Sequence, residues 1–406
     1  MLQSMSFHEE SQRILPELIE LRRRLHQHPE VGLHLPQTQQ AVLEALAGLP
    51  LEITLGKELS SVVAVLHGDQ PGPTVLLRGD MDALPVLEET GLPYASVNGN
   101  MHACGHDLHT AGLVGAAKLL AAQKSQLSGA VVFMFQPGEE GPGGAQPMLD
   151  EGLLAAAGQA PVAAYAIHVV PGPRGVFLHR TGAMLAGSST VNIRVHGEGG
   201  HGSQPFKAKD PVPALVKIAG SLQEMVASKF PTFDPVVLTV TQLRAGKAVN
   251  VIPDTAELGA TARTLSAESI ERLRTHVPTL AEGIAASFGC TAEVDIYVDY
   301  PVTINDRAET SFAARTLGDH FGAEFVQQQA EPRMGAEDFS LVLEEVPGSM
   351  LFLGASPEHI DPDTAPFNHS PKVLFDDAVL ADQASALALL AFHRTGSLTH
   401  RSEASA

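Results

Sequence analysis

The chain is poor in cysteine, poor in positive charge and free of long apolar runs, and each scarcity excludes something. Two cysteines in 406 residues, Cys104 and Cys290, cannot build a disulfide framework, which fits a reducing compartment. Only 26 basic residues face 46 acidic ones, a formal net charge of -20. Nucleic acid and anionic membranes attract positive surface, so neither is expected as a partner. The apolar stretch 152–170 is interrupted by Gln159 and Pro161 and reads as helix plus buried strand rather than a membrane span. The opening residues, MLQSMSFHEE, have no basic segment followed by an apolar run, so no secretory signal is expected and a cytoplasmic location follows. The closing GSLTHRSEASA is polar and expected to fray. No internal repeat or low-complexity segment is visible.

What is present is enough for two domains. Hydrophobic residues make up 44% of the chain, sufficient for a sizeable core. Residues 8–26 carry Ile14, Leu15, Leu18, Ile19, Leu21 and Leu25 at helical spacing, and Pro29 ends that helix. A second helix is expected near 37–47. Apolar strands over 61–68, 74–80, 130–137 and 163–170 then alternate with helices over 107–123 and 144–157. Continuous apolar strands between helices predict an α/β domain with a mostly parallel sheet covered on both faces. From about 184 the pattern changes. Val191, Ile193 and Val195 alternate, as in a sheet with one wet face. The order over 189–299 is β-α-β-β-α-β, the split motif of ferredoxin-like sandwiches. The expected organisation is a first domain over 1–183 and 301–406, interrupted by an inserted α+β domain over 184–300. Helices near 307–321, 337–345 and 377–394 and a strand over 349–355 complete the first domain.

The chemistry is concentrated in two clusters. Residues 102–110 read HACGHDLHT, and 136–141 read QPGEEG. Thiolate, imidazole and carboxylate are what a borderline-soft divalent metal such as zinc takes as ligands. Cys104 and His106 sit in a glycine-containing loop where both can converge on one ion. Asp107 starts a helix and reads as an N-cap, or as a group orienting a ligand histidine. Adjacent Glu139 and Glu140 point apart, which suits one ligand and one general base beside a metal. Glycines 141, 143 and 144 allow a tight loop there. In open α/β sheets ligands bind beyond the carboxyl ends of strands. Asp80, Asp82, Glu139, Glu140 and His168 all follow or end such strands. His168 and His369 are weak candidates in isolation. His26, His28, His34, His276 and His393 read as surface or structural. In the second domain His201 lies between glycines in EGGHGSQP, with Asn250 in AVNVIP and Arg263 in ATART at or near strands.

At these residues the chain resembles the aminoacylase/carboxypeptidase superfamily of co-catalytic metallopeptidases. Within it, the chain is similar to the branch of hippurate hydrolases, bacterial N-acyl-amino-acid amidohydrolases and plant auxin-conjugate hydrolases. The segments that carry the likeness are LRRRLHQHPEVG, RGDMDALP, HACGHDLHT, QPGEEGPGGA, GGHGSQP, VNVIPD, MGAEDFS and FNHSP, in order along almost the whole chain. The resemblance implies a two-metal site with Cys104 in the bridging position that many relatives fill with aspartate. His106, Glu140, His168 and His369 match the remaining ligand positions, and Glu139 the general base. His201, Asn250 and Arg263 match lid residues that touch the scissile carbonyl or the substrate carboxylate, His201 often from a partner subunit. The inserted domain is then a lid that also makes a homodimer. Asp80 is not a ligand in a cysteine-type site, while Asp82 remains a supporting partner.

The expected reaction is metal-dependent hydrolysis of an N-acyl amino acid, hippurate-like, to a carboxylic acid and a free amino acid. One or two divalent ions are expected, zinc first, then manganese or cobalt. A metallo-dipeptidase or carboxypeptidase on the same scaffold is the main alternative. A cysteine hydrolase with Cys104 as nucleophile leaves Glu139 and Glu140 without a role. A silent metal-binding protein would not need a base beside its ligands.

Overall fold

The computed structural model describes residues 2–396; Met1 and the polar tail from 397 onward, with the fraying expected there, lie outside the described residues. In chain order the strands of the first half are β1 (Glu52–Leu55), β2 (Val62–His67), β3 (Gln70–Asp80), β4 (Ser128–Gln136), β5 (Pro161–Val170), β6 (Phe177–His179), β7 (Gly182–Leu185) and β8 (Gly187–His196). Those of the second half are β9 (Gly200–His201), β10 (Val237–Ala245), β11 (Val251–Ile252), β12 (Thr255–Thr264), β13 (Thr291–Tyr300), β14 (Thr303–Asn305), β15 (Val326–Gln328) and β16 (Gly348–Gly354). The α-helices are α1 (Leu2–Gln27), α2 (Pro36–Leu46), α3 (His106–Ala122), α4 (Ala145–Asp150), α5 (Pro211–Lys229), α6 (Ala267–Ser287), α7 (Arg307–Phe321), α8 (Phe339–Glu345) and α9 (Val379–Gly396).

Contacts divide the chain into two compact units. Among the described residues one comprises 2–182, 304–330 and 341–396; the other comprises 183–303 and 331–340. The segment 331–340 joins the second unit through backbone pairing of Arg333 with Met184 and Ala186. No periodic pattern in that stretch announces it.

The first unit is built on an eight-stranded mixed sheet in the order β1-β2-β4-β3-β5-β16-β6-β15. Its centre, β4-β3-β5-β16, is parallel. Antiparallel partners flank it: β2 with its edge strand β1 on one side, and β6 on the other. The central strands are buried over most of their length, β3 from Thr74 onward, which is why their apolar runs are continuous rather than alternating. Helices α1, α3 and α9 pack together in a layer, and their Leu18, Leu108, Leu113, Leu387 and Leu390 join the sheet's Val75, Leu77, Phe133 and Tyr165 in one core.

Three expectations need adjustment. Helix α1 begins at Leu2 and passes through Pro16, and Phe7 is buried edge-on against Phe392 of α9. The expected helix over 144–157 splits into α4 and a short 3-10 turn, because Gly152 turns into the left-handed region at φ 95°. The strands β1, β6 and β15 have three or four residues each, too few for a readable pattern.

The second unit has a four-stranded antiparallel sheet in the order β10-β12-β8-β13, with α5 and α6 between its strands in a β-α-β-β-α-β path. Val191, Ile193 and Val195 of β8 face the helices and pack with Leu215, Ile218, Leu273 and Val277. Asp210 and Ser266 cap the two helices through bonds to Val212 N and Ser269 N. No helix of the described residues is long and apolar enough to cross a membrane.

Candidate metal centre

The parallel strands bring the first cluster of residues to one edge. Asp80 ends β3 in register with Gln136, the last residue of β4. Glu139 and Glu140 follow three and four residues later. His168 sits two residues before the end of β5, rather than at its end. The 102–105 loop delivers Cys104 and then enters α3, whose N-cap is Gly105 at φ 89°. A Cβ at Gly105 would lie 2.4 Å from a Val169 methyl, so only glycine closes this turn. Gly79 likewise lets α3 ride over β3, since a Cβ there would be 2.7 Å from His109 O.

Two triads of donor atoms result, and they share Cys104. The ligand atoms of Cys104, His106 and His168 lie within 4.8 Å of one another, as do those of Cys104, Glu140 and His369. Cys104 Sγ is 3.4 Å from His168 Nε2, and His369 Nε2 is 3.0 Å from Glu140 Oε1. His106 Nε2 stands 3.9 Å from both Glu139 and Glu140. His168 Nδ1 donates to Val169 O at 2.7 Å, which leaves Nε2 as the lone-pair atom facing Cys104. His106 is fully buried, yet neither ring nitrogen makes a hydrogen bond. Its nearest carboxylates, Asp80 and Asp82, stand off at 3.5 Å; a buried polar group without a hydrogen bond is rare and needs an explanation, and a cation between these donors supplies one.

Charge tells the same story. Burial disfavours a charged His106, but the Asp80 carboxylate and Cys104 raise its pKa well above the ordinary imidazole value. Cys104 and Glu140 push His369 up to about 10. Histidines drawn toward protonation by surrounding anions mark a place that demands positive charge. Burial, then the Glu140 carboxylate, pushes the Cys104 thiol up. A reactive cysteine needs the opposite shift, which weighs against a nucleophilic Cys104.

A further triad, Asp80, His106 and His109, also falls within reach of one ion. Of its two histidines, His109 is already engaged. Val169 N–H donates to His109 Nε2 at 2.8 Å, so Nδ1 carries the proton and donates to Asp80 Oδ1 at 2.5 Å. Asp80 also accepts from Arg78. Asp82 does two jobs. Its carboxylate oxygens accept from Glu139 N and Glu140 N, each at 3.0 Å, and Oδ1 lies 3.5 Å from His106 Nδ1. It therefore fixes the peptide that carries both glutamates and faces the histidine.

Asp107 is not the N-cap of α3, a place held by Gly105, and it does not orient a ligand histidine. It accepts from Arg22 Nε and contacts His26 Nδ1, each at 2.7 Å. Arg22 also donates to Asp377 at 2.8 Å, and His26 Nε2 lies 3.2 Å from Glu88. This buried network anchors the ligand loop to α1. The sequence signal was available: Arg22 lies on the stripe of Leu18, Leu21 and Leu25, where a charge needs a partner. Asn368, beside Cys104, carried no sequence signal of its own.

In the second unit His201 and Asn250 are neighbours. His201 pairs with Val251 in the β9–β11 ladder, and Gly202 N donates to Asn250 O at 2.8 Å. Both are exposed, and His201 Nδ1 bonds the Ser203 hydroxyl at 2.8 Å. Arg263 lies elsewhere. Its Nη1 donates to Ser188 and Thr261 hydroxyls at 2.8 Å each. Within the β8–β12 ladder the pairs Thr255↔His196 and Arg263↔Ser188 are eight residues apart, or about 27 Å at about 3.4 Å per residue. One chain thus holds Arg263 and the His201 loop at opposite ends of a sheet.

Comparison with known proteins fits this geometry. Residues 76–393 match Peptidase family M20/M25/M40. The chain belongs to that family. This M20 chain is 37% identical over 383 residues to thermostable carboxypeptidase 1 of Saccharolobus solfataricus, covering 92% of this chain and 94% of that one. It is 36% identical over 342 residues to the N-acetylcysteine deacetylase of Bacillus subtilis, covering 84% and 88%. Among solved structures, the Bacillus subtilis YXEP protein, a dinuclear metal-binding peptidase of the M20 family, superposes with a TM-score of 0.81. That match is 32% identical and covers 95% of this M20 chain and 99% of the other. As a family member the chain is a metal-dependent hydrolase of amide or peptide bonds, and its clustered Cys, His and Glu donors fit a divalent ion.

Proposed function

We propose that this M20 chain hydrolyses the amide bond of N-acyl amino acids, releasing a carboxylic acid and a free amino acid. The observation that carries the metal centre is the buried His106, with no hydrogen bond at either nitrogen and carboxylate and thiol donors around it. In this reading Cys104, His106, His168, Glu140 and His369 hold two ions, with Cys104 common to both triads. Zinc is the ion the thiolate and imidazoles favour, with manganese or cobalt as substitutes. Bound there, the ions supply Lewis acidity that acidifies water and polarises the acyl carbonyl.

The protein's own groups do the rest. Glu139 accepts a proton from the attacking water and later delivers it to the leaving amine. Asp82 keeps Glu139 and Glu140 in fixed relation through their backbone N–H groups. His201 donates to the developing oxyanion, and Asn250 assists beside it. Arg263 holds the α-carboxylate of the amino-acid half, which a guanidinium does well.

The second unit acts as lid and dimer surface in this reading. The placement of Arg263 and the His201 loop at opposite ends of the β8–β12 ladder supports it, because the carboxylate and scissile carbonyl of one substrate lie only a few bonds apart; in this reading a second subunit supplies His201. Phe206 and Val249 flank the His201 loop, both apolar and almost wholly exposed, as expected of a surface made for a partner. A reducing cytosol keeps Cys104 available as a ligand.

A carboxypeptidase reading is favoured by one observation, the 37% identity to a thermostable carboxypeptidase over 92% of this chain. One experiment separates the two. Metal-stripped enzyme, then enzyme reloaded with zinc, manganese or cobalt, is given benzoyl, acetyl, long-chain acyl and indole-acetyl amino acids alongside dipeptides. Metal-restored release of amino acid from the acyl conjugates is the expected result. Activity confined to peptides would replace it with the carboxypeptidase reading, and activity indifferent to metal would overturn both.

A further inference from the structure

We propose that Asn368 is a positioning residue that ties the Cys104, His168 and His369 segments into one ligand array and donates a hydrogen bond to the Cys104 sulfur. The proposal rests on the metal-centre reading above. Asn368 Nδ2 lies 3.1 Å from Cys104 O, 3.3 Å from Val169 O and 3.7 Å from Cys104 Sγ. All three are acceptors, so the amide orientation is fixed: turned over, its oxygen would face three acceptors. The Oδ1 atom makes no hydrogen bond, and everything the side chain does, it does through nitrogen.

Two of the contacts fall on the Cys104 loop and one on Val169 beside His168, and the chain itself joins the third ligand-bearing segment at His369. Cys104 O belongs to the ligand loop itself. Val169 O also accepts from His168 Nδ1 at 2.7 Å, so Asn368 takes the second lone pair of the carbonyl that orients His168. Directly after Asn368 comes His369 at φ 71°, the one non-glycine residue with positive φ among the described residues. A left-handed histidine persists only where its surroundings hold it. Two bonds do so here: Asn368 to Cys104 O, and His369 N–H to Ala103 O at 2.9 Å. The N–H directed at sulfur stabilises a thiolate and draws charge from it. Partners of this kind, one step removed from an ion, govern affinity and electronic character.

Asn368→Ala and Asn368→Asp test this in protein loaded with cobalt(II). The variants should bind cobalt about 10–100-fold more weakly. Their thiolate-to-cobalt absorption should move to lower energy, because a sulfur that has lost a hydrogen bond gives up an electron more easily. A merely structural anchor would leave that band unmoved in the fraction that binds. Unchanged affinity and band in both variants would overturn the proposal. Absence of the band in wild-type protein would instead overturn the metal-centre reading on which it stands. If both variants fail to fold, wild-type protein loaded with cadmium-113 decides. A scalar coupling between the metal and an Asn368 side-chain amide proton is expected, and its absence refutes the N–H to sulfur bond.

Discussion

Glu139 and Glu140 share a peptide bond but not an environment. Glu140 contacts His369 and shares a donor triad with Cys104, and this neighbourhood lowers its pKa despite burial. Glu139 stands 3.9 Å from His106 Nε2 and belongs to neither of the triads that contain Cys104. Their substitutions should therefore fail differently. Glu139→Gln should keep its metal through desalting and lose about 10²–10⁴-fold in turnover. Glu140→Gln should lose metal first. Metal analysis beside initial rates separates the two, and near-normal turnover in Glu139→Gln would remove its role as base. Gly105 offers a second test at this scale. Gly105→Ala forces a side chain into φ 89° and against Val169, a strain of about 1–3 kcal/mol. Weaker metal retention, with α-helical circular dichroism preserved, is the expected outcome.

Among elements, α1 carries more than packing. Its Arg22 and His26 meet Asp107, which follows His106 in sequence, and Asp377, which precedes α9. Arg22→Ala would take the shared guanidinium from two buried carboxylates, leaving Asp107 with His26 and Asp377 with Arg23, and should cost about 3–5 kcal/mol of stability, measured as a fall in the urea midpoint. His26 adds a pH dependence with a definite sign. Burial lowers its pKa, but Asp107 and Glu88 outweigh burial and raise it overall. Its contribution is thus fully present below about pH 6.5, the unfolded value. It is lost as pH rises through the higher native value. Wild-type stability should fall in that window relative to His26→Gln; parallel pH profiles would dismiss the effect. A charged residue on an apolar helical stripe was the sequence's hint of this network. Its partners lie 85 and 355 positions away, beyond any local pattern.

At the scale of the whole molecule, the separation of Arg263 from the His201 loop predicts a site completed by two chains. Inactive Glu139→Gln and His201→Ala proteins, unfolded together and refolded as a mixture, should recover about a quarter of wild-type activity. Half the dimers are then mixed, and each has one intact composite site. No recovery would place His201 in its own chain's site or outside catalysis.

The sequence by itself determined the α/β class of the first unit, the mixed and largely parallel sheet, the family, and the presence of a metal-type donor set. Each of these depends on local information: unbroken apolar strands, short motifs, and ligand types packed within a few positions. Tertiary structure decided what depends on approach in space. It gathered His168 and His369 beside Cys104, although each histidine alone was ambiguous. It gave His109 to Asp80 and Asp107 to Arg22, removing both from the field of ligands and caps. It also drew the 331–340 segment into the second unit. A side chain's type is written locally, but its hydrogen bonds are shared among partners, and only the folded chain settles which partner takes the last lone pair.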